Sequence, residues 1–250
     1  MNSAEPLFKK EFPVRYHELD CHGNVRPVTL LNYVQDAAGM HAAQLGVSVS
    51  DLRVHGLTWV LSRIHLIVDR YPRAGEVVLM HTWPATRQGL FSCREFELLD
   101  RLGRITGRAT TSWAVLNVAS RRPVKLEGNL PPYPLLPRRA IEDDFAPLPQ
   151  LQETLPPTLS FRVLRSDLDI NQHVNNAVFV GWALETVPDE VAAGSMVELE
   201  ISFRAEALYG ETIESRCSIV ETGESTCCLH QIINQQDNRE LARLRTRWRV

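Results

Sequence analysis

Between Ser166 and Glu185 the chain reads SDLDINQHVNNAVFVGWALE, in which Asp169, Asn171 and His173 alternate and an Asn175-Asn176 pair leads into an apolar run. A carboxylate, an amide and an imidazole spaced by two project to one side of an extended segment. Such a set can position water against an electrophile and take its proton. The run AVFVGWAL reads as a helix that Asn175 or Asn176 is suited to cap. Its end is then expected to offer unpaired N–H groups and the positive pole of the helix dipole to a developing oxyanion. Asx residues also close turns and cap helices with no chemistry attached, so the pattern alone leaves both readings open.

Helix and turn need a scaffold. AVFVGWAL has no charged face, which suits a helix enclosed by other structure. After it, VELEISFRAE, ETIESRCSIVE, STCCLHQIIN and ELARLRTRWRV alternate apolar and polar residues as half-buried antiparallel strands do. The same order of signals occurs earlier. FPVRYHELDCHGNVRPVTLLNYVQDAA sets Asp20 on Asp169, Val25 on Val174 and Tyr33 on Trp182, and HLIVDR, EVVLMHTW, SCREFELLD and ITGRATTSWAVLN follow. One shift of 135 residues then places Gly75-Glu76 on Gly210-Glu211, Cys93 on Cys228, Leu98 on Ile233, Thr111 on Thr246 and Trp113 on Trp248. A unit occurring twice is the economical reading. Helix then sheet, repeated, gives an α+β class: a tandem (double) hotdog, two antiparallel sheets each wrapped around a central helix. The expected organisation is an N-terminal hotdog over 1–120, a linker over 121–158 that holds nine of the fifteen prolines, and a C-terminal hotdog over 159–250.

Composition narrows the function. The 250 residues are 44% hydrophobic and 23% charged, an ordinary globular mixture. A net charge of -3 and a pI near 6.3 supply no global basic field, so neither nucleic acid nor membrane is an expected partner. Residues 1–12 lack the apolar core of a signal peptide, and a cytoplasmic location is expected. The five cysteines are odd in number and form no C-x-x-C pair, which favours reduced thiols over a disulfide framework or zinc knuckle. YHELDCH, with His17, Glu18, Asp20 and His22, misses H-E-x-x-H by one residue. G-x-S-x-G, G-x-G-x-x-G and phosphate loops do not occur, so no metal or cofactor is expected. Trp59, Trp83, Trp113, Trp182 and Trp248 read as core. Arg243, Arg245, Arg247 and Arg249 share one face of the last strand. They, or Arg121, Arg122, Lys125, Arg138 and Arg139, suit either docking of an acidic partner or a solvated face protecting a sheet edge.

The D-x-N-x-H-V-N-N pattern continues through Phe179, Trp182, Leu184 and Glu185, and SFRAE supplies Glu206 on a later strand. Together with GLTWVLSR in the first copy, these residues resemble the acyl-acyl carrier protein thioesterases, tandem-hotdog enzymes of plant plastids and bacteria. The resemblance implies hydrolysis of fatty acyl-acyl carrier protein to free fatty acid, in fatty acid biosynthesis. It implies Asp169, Asn171, His173 and Glu206 as catalytic residues and Asn175 and Asn176 at the oxyanion-binding helix end. It also implies the carrier protein and a fatty acyl chain as partners, with a homodimer left open. Three departures stand out: there is no plastid transit segment, which implies a bacterial-type protein; Ala207 follows Glu206 where some relatives have cysteine; and the first copy has Asn24 and Tyr71 opposite His173 and Glu206. The first copy therefore reads as catalytically degenerate and as the acyl-chain binder. An acyl-coenzyme A thioesterase, a non-hydrolytic acyl-thioester binding protein and a hotdog dehydratase are the alternatives. General-base attack by water and a covalent carboxylate route are both open.

Overall fold

The computed structural model describes residues 5–151 and 158–249. The chain divides into two compact units, Met1–Asp143 and Asp144–Val250. Unit one runs β1 (Phe8–Pro13), a 3-10 turn at Tyr16–Glu18, α1 (Pro27–Gln44), α2 (Val49–Arg53), β2 (Leu57–Val68), β3 (Val77–Gln88), β4 (Phe91–Leu99), β5 (Ile105–Asn117) and β6 (Arg122–Val124). Unit two runs β7 (Thr158–Arg162), a 3-10 turn at Arg165–Asp167, α3 (Asn176–Leu184), α4 (Asp189–Ala192), β8 (Ser195–Phe203), β9 (Thr212–Glu221), β10 (Thr226–Asn234) and β11 (Glu240–Arg249). Each strand anticipated from alternation is present.

The two sheets share one plan. Unit one orders its antiparallel strands β1-β3-β4-β5-β2, with β6 beside β5. Unit two orders them β7-β9-β10-β11-β8. Pairing fixes which residues correspond. Leu66 lies opposite Ala109 and Ile201 opposite Leu244, which keeps the shift of 135 in these strands. In β4 and β10 it falls to 134, because Arg94 faces Thr111 as Cys228 faces Thr246. Arg94 rather than Cys93 therefore matches Cys228, and Phe96 matches His230. The cause is one extra residue in the later turn: Asp100 N–H closes onto Arg104 in unit one, whereas Asn234 N–H reaches Arg239 in unit two.

Both central helices lie against their sheets. Within α3, Ala177, Phe179, Val180, Trp182 and Ala183 are buried and every other residue through Leu184 is half-buried. This is the enclosure its missing charged face calls for. Phe179 meets Trp182 and Phe203 edge-on, and Phe161 stacks on Trp182. Under α1 the core contains charge. Arg94, only 8% exposed, donates through Nη1 to His41 Nδ1 (2.9 Å) and Thr82 Oγ1 (3.3 Å). Burial and the Arg94 charge pull the His41 pKa down to about 4, so the imidazole is neutral and accepts. Burial also lowers Arg94, to about 10, which leaves it charged at neutral pH. In unit two His230 is fully buried; Nε2 lies 2.9 Å from Thr246 Oγ1, and burial pulls its pKa down to about 3.

The proline-rich stretch after β5 has no period, yet between Leu126 and Asp143 it is held on unit one at several points. Trp83 Nε1 donates to Arg138 O (2.7 Å), and the Arg138 guanidinium lies 4.1 Å over the Trp83 ring while bonding Glu97. Arg139 and the Ala140 N–H satisfy the fully buried Glu95, and Asp143 meets His65 at 2.7 Å. Leu126 is fully buried. The stretch acts as a strap.

Three of the four arginines of β11 are carboxylate-paired, Arg243 with Glu240, Arg245 with Glu200, and Arg247 with Glu198 and Glu221, while Arg249 is exposed. β11 lies between β8 and β10, so these charges guard no edge, contrary to one expectation, and instead form a ladder across neighbouring strands. Cys217, Cys227 and Cys228 are buried thiols, Cys93 is half-buried and Cys21 is exposed. Among the described residues no helix is long and apolar enough to cross a membrane.

Candidate active site

The Asp169 region is a tight turn rather than an extended segment. Asp169 N–H donates to His173 O (2.8 Å) and Gln172 N–H to Asp169 O (3.0 Å), with Gln172 in the left-handed region at φ 64°. The expectation that alternation alone aligns Asp169, Asn171 and His173 is thus corrected. The physical reason is the Asp169 carboxylate, which folds back on its own loop: Oδ1 accepts from the N–H groups of Asn171 (2.7 Å) and His173 (3.4 Å), and Oδ2 from Asn171 Nδ2 (3.2 Å). Asp169 and Asn171 thereby shape the loop that carries His173.

The loop is pinned to the segment after β8. His173 and Leu208 form an antiparallel bridge, and Val174 N–H donates to Ala207 O (3.0 Å). Ala207 is fully buried, so by strand alternation its neighbours Glu206 and Leu208 face the other way. His173 Nε2 comes to 3.5 Å from Glu206 Oε2, with both side chains about one-third exposed (33% and 37%). Two residues 33 apart in sequence meet here, both partly open to solvent. An imidazole beside a carboxylate can hold a water that bonds to both.

Behind the pair stands α3. Asn175 caps it, Oδ1 accepting from Ala177 N–H (2.9 Å), while Val178 N–H bonds Asn175 O and Asn175 N–H bonds Asp167 O (2.8 Å). This corrects the picture of a row of open donors, because the capping side chain itself consumes the Ala177 N–H. The positive end of the α3 dipole lies at Asn176, the first residue of the helix. Sequence reasoning missed Asp167, whose Oδ2 accepts from Leu164 N–H (2.7 Å) and whose carbonyl holds Asn175. The available signal was Glu18, which occupies the matching position and accepts from Arg15 N–H (2.7 Å).

Unit one repeats the turn without the pair. Asp20 Oδ1 accepts from His22 N–H (2.8 Å) and Asn24 N–H (2.9 Å), Asn24 bridges Arg73, and Val25 N–H donates to Pro72 O (2.8 Å). Counting back from these partners puts Tyr71 where unit two has Glu206. Burial and the nearby Asp20 carboxylate raise the Tyr71 pKa above the usual phenol value, so it is no base at neutral pH. Glu18 and Asp20, two carboxylates of the near-miss metal motif, are engaged with backbone amides and with Tyr33 Oη.

Models of the acyl-ACP thioesterase N-terminal and C-terminal domains match residues 5–131 and 153–250. The chloroplastic acyl-[acyl-carrier-protein] hydrolase FATB2 of Cuphea viscosissima is 28% identical over 97% of this chain, which spans 63% of that relative's length. An acyl-ACP thioesterase structure from Bacteroides thetaiotaomicron superposes with a TM-score of 0.86 at 23% identity, covering 99% of this chain and 100% of the other. The 12:0-ACP thioesterase of Umbellularia californica gives 0.85 at 23% identity, covering 98% of each chain. These two likenesses establish the double-hotdog fold. With both domain models matched in order along the chain, this protein belongs to the acyl-ACP thioesterase family.

Proposed function

We propose that the chain hydrolyses the thioester between a fatty acyl group and acyl carrier protein, releasing free fatty acid and the carrier thiol. The observation that carries this reading is the His173–Glu206 pair beside the capped N-terminus of α3. Glu206 takes a proton from water as the water attacks the acyl carbonyl, and His173 holds that water and carboxylate in line. Negative charge on the carbonyl oxygen is stabilised by the positive pole of the α3 dipole, at the helix end that Asn175 and Asn176 form. Collapse of the tetrahedral intermediate breaks the C–S bond and expels the thiolate, which needs little help from an acid. Asp169 and Asn171 position His173. Unit one, with Asn24 and Tyr71 in place of the pair, carries the acyl chain.

Thiol release from acyl-carrier-protein and acyl-coenzyme A substrates of graded chain length tests the proposal. The expected result is turnover that favours the carrier protein and collapses in Glu206→Gln. A folded protein that binds these thioesters without releasing thiol would instead be an acyl-binding protein. Single turnover in isotopically labelled water separates the two routes: direct attack by water labels the fatty acid, whereas anhydride hydrolysis at the enzyme carbonyl labels Glu206.

A further inference from the structure

The rim of the His173–Glu206 site differs in chemistry from the matching rim of unit one. Around the pair, Ile170 is 84% exposed, and Leu164, Leu208 and Tyr209 are about half exposed. The corresponding positions in unit one are Cys21, Arg15, Arg73 and Ala74, so the apolar surface accompanies the pair and not the fold. At the edge of this surface the Arg165 guanidinium lies 4.4 Å over the Tyr209 ring. Arg204, Arg216, Arg239, Arg243, Arg245 and Arg247 of the same unit each have a carboxylate partner, whereas Arg162 and Arg249 are exposed with neither a carboxylate nor an aromatic ring against them among the described residues. Among the described residues Arg165 is held by an aromatic ring and by no carboxylate within ion-pair distance. Stacking fixes the plane of a guanidinium but leaves its charge uncancelled and its N–H edges directed outward, the arrangement that suits bidentate capture of a phosphate. The matching residue in unit one is Tyr16, which has no such charge.

We infer that Arg165, braced by Tyr209, binds the phosphate of the 4′-phosphopantetheine arm, and that Ile170 and Leu208 line the path of the arm to His173 and Glu206. The inference rests on the thioesterase reading above and adds how its substrate is gripped. Reach is adequate. Tyr209 is three residues beyond Glu206, so their Cα atoms are at most about 11 Å apart, and an extended arm is about as long as five extended residues, on the order of 17 Å. An anionic head and an amide-alkyl arm match a cation beside an apolar strip.

The test compares S-acyl-4′-phosphopantetheine with the same acyl pantetheine lacking phosphate, alongside the acyl-carrier-protein substrate. The wild-type protein should show a kcat/KM about tenfold higher for the phosphorylated thioester. Arg165→Gln should bring that ratio to near one, and Arg165→Lys should leave an intermediate value. Tyr209→Leu, which removes the brace and keeps the charge, should lower the ratio several-fold. A wild-type ratio near one overturns the inference and needs no variant. So does a preference that survives in Arg165→Gln, or turnover of the carrier substrate with neither small thioester accepted. Absence of thiol release from all three substrates overturns the thioesterase reading instead.

Discussion

In unit one Asp20 gathers the N–H groups of His22 and Asn24, and in unit two Asp169 gathers those of Asn171 and His173. The backbone bonds that dock each turn onto the following segment also correspond, Val25 to Pro72 and Val174 to Ala207. What changes is the cargo: Asn24 and Tyr71 in one, His173 and Glu206 in the other. An aspartate kept where no pair exists is a turn-former first. The two turns separate what both units keep, a carboxylate bonded to loop amides, from what only one has, an imidazole beside a carboxylate.

Swapping cargo should give the largest effect. Glu206→Gln or His173→Asn, the latter installing the residue of unit one, is expected to lower kcat/KM by roughly 100- to 10,000-fold. Because the two side chains form one pair, the double variant should be little worse than either single one. Losses that multiply would show them acting separately.

Acid should strike both units for a shared reason. His41 and His230 are buried and neutral, with pKa values lowered to about 4 and about 3. Below pH 6.5 the unfolded chain takes up protons that the folded chain refuses, so stability is full above 6.5 and falls as pH drops toward 4. The loss for His41 is on the order of 3 kcal/mol, and that for His230 is similar. His230→Phe, which copies Phe96 of unit one, should flatten this limb in urea titrations repeated from pH 7 to pH 4. An unchanged slope would assign the acid sensitivity elsewhere.

Removing the turn-former comes next. Asp20→Ala and Asp169→Ala should each cost about 1–3 kcal/mol by leaving loop amides unpaired, measured by denaturant unfolding. Only the second should slow thiol release, and mainly through kcat. Equal loss of activity from both would give unit one a catalytic part.

The smallest effect concerns the left-handed residue of each turn. Gly23 has φ 77° and open space where a Cβ would stand, with no atom within 4 Å, whereas unit two has Gln172 at φ 64°. Gly23→Ala should cost about 1 kcal/mol through backbone strain alone, and Gln172→Gly should relieve up to a similar amount. Opposite signs in matched melts would confirm that the turns are equivalent.

Much of this was legible in the residues. Alternation in EVVLMHTW or ETIESRCSIVE is a local signal that survives any tertiary context, and it located the main strands of both sheets. The uncharged run AVFVGWAL announced its own enclosure. Asn175 and His173 were visible because caps and turns use few residue types. Less visible was anything decided by distant partners. Ungapped matching put Cys93 on Cys228, since nothing local marks the extra residue in the β10–β11 turn. The inward fold of Asp169 depends on amides that carry no side-chain signature. The engagement of the Ala177 N–H follows from Asn175 being the cap, since a capping oxygen takes a first-turn donor.

The strap has a consequence for how the protein comes off the ribosome. Trp83, Glu95 and Glu97 are synthesised well before Arg138 and Arg139, which give them their partners. Until that stretch emerges, the outer sheet face of unit one carries a buried-type carboxylate without its cation. Unit one therefore completes folding only when the chain has passed Asp143, by which time the strands of unit two are next in line. A stretch that looks like a spacer in the sequence thus supplies the last partners that the first unit needs.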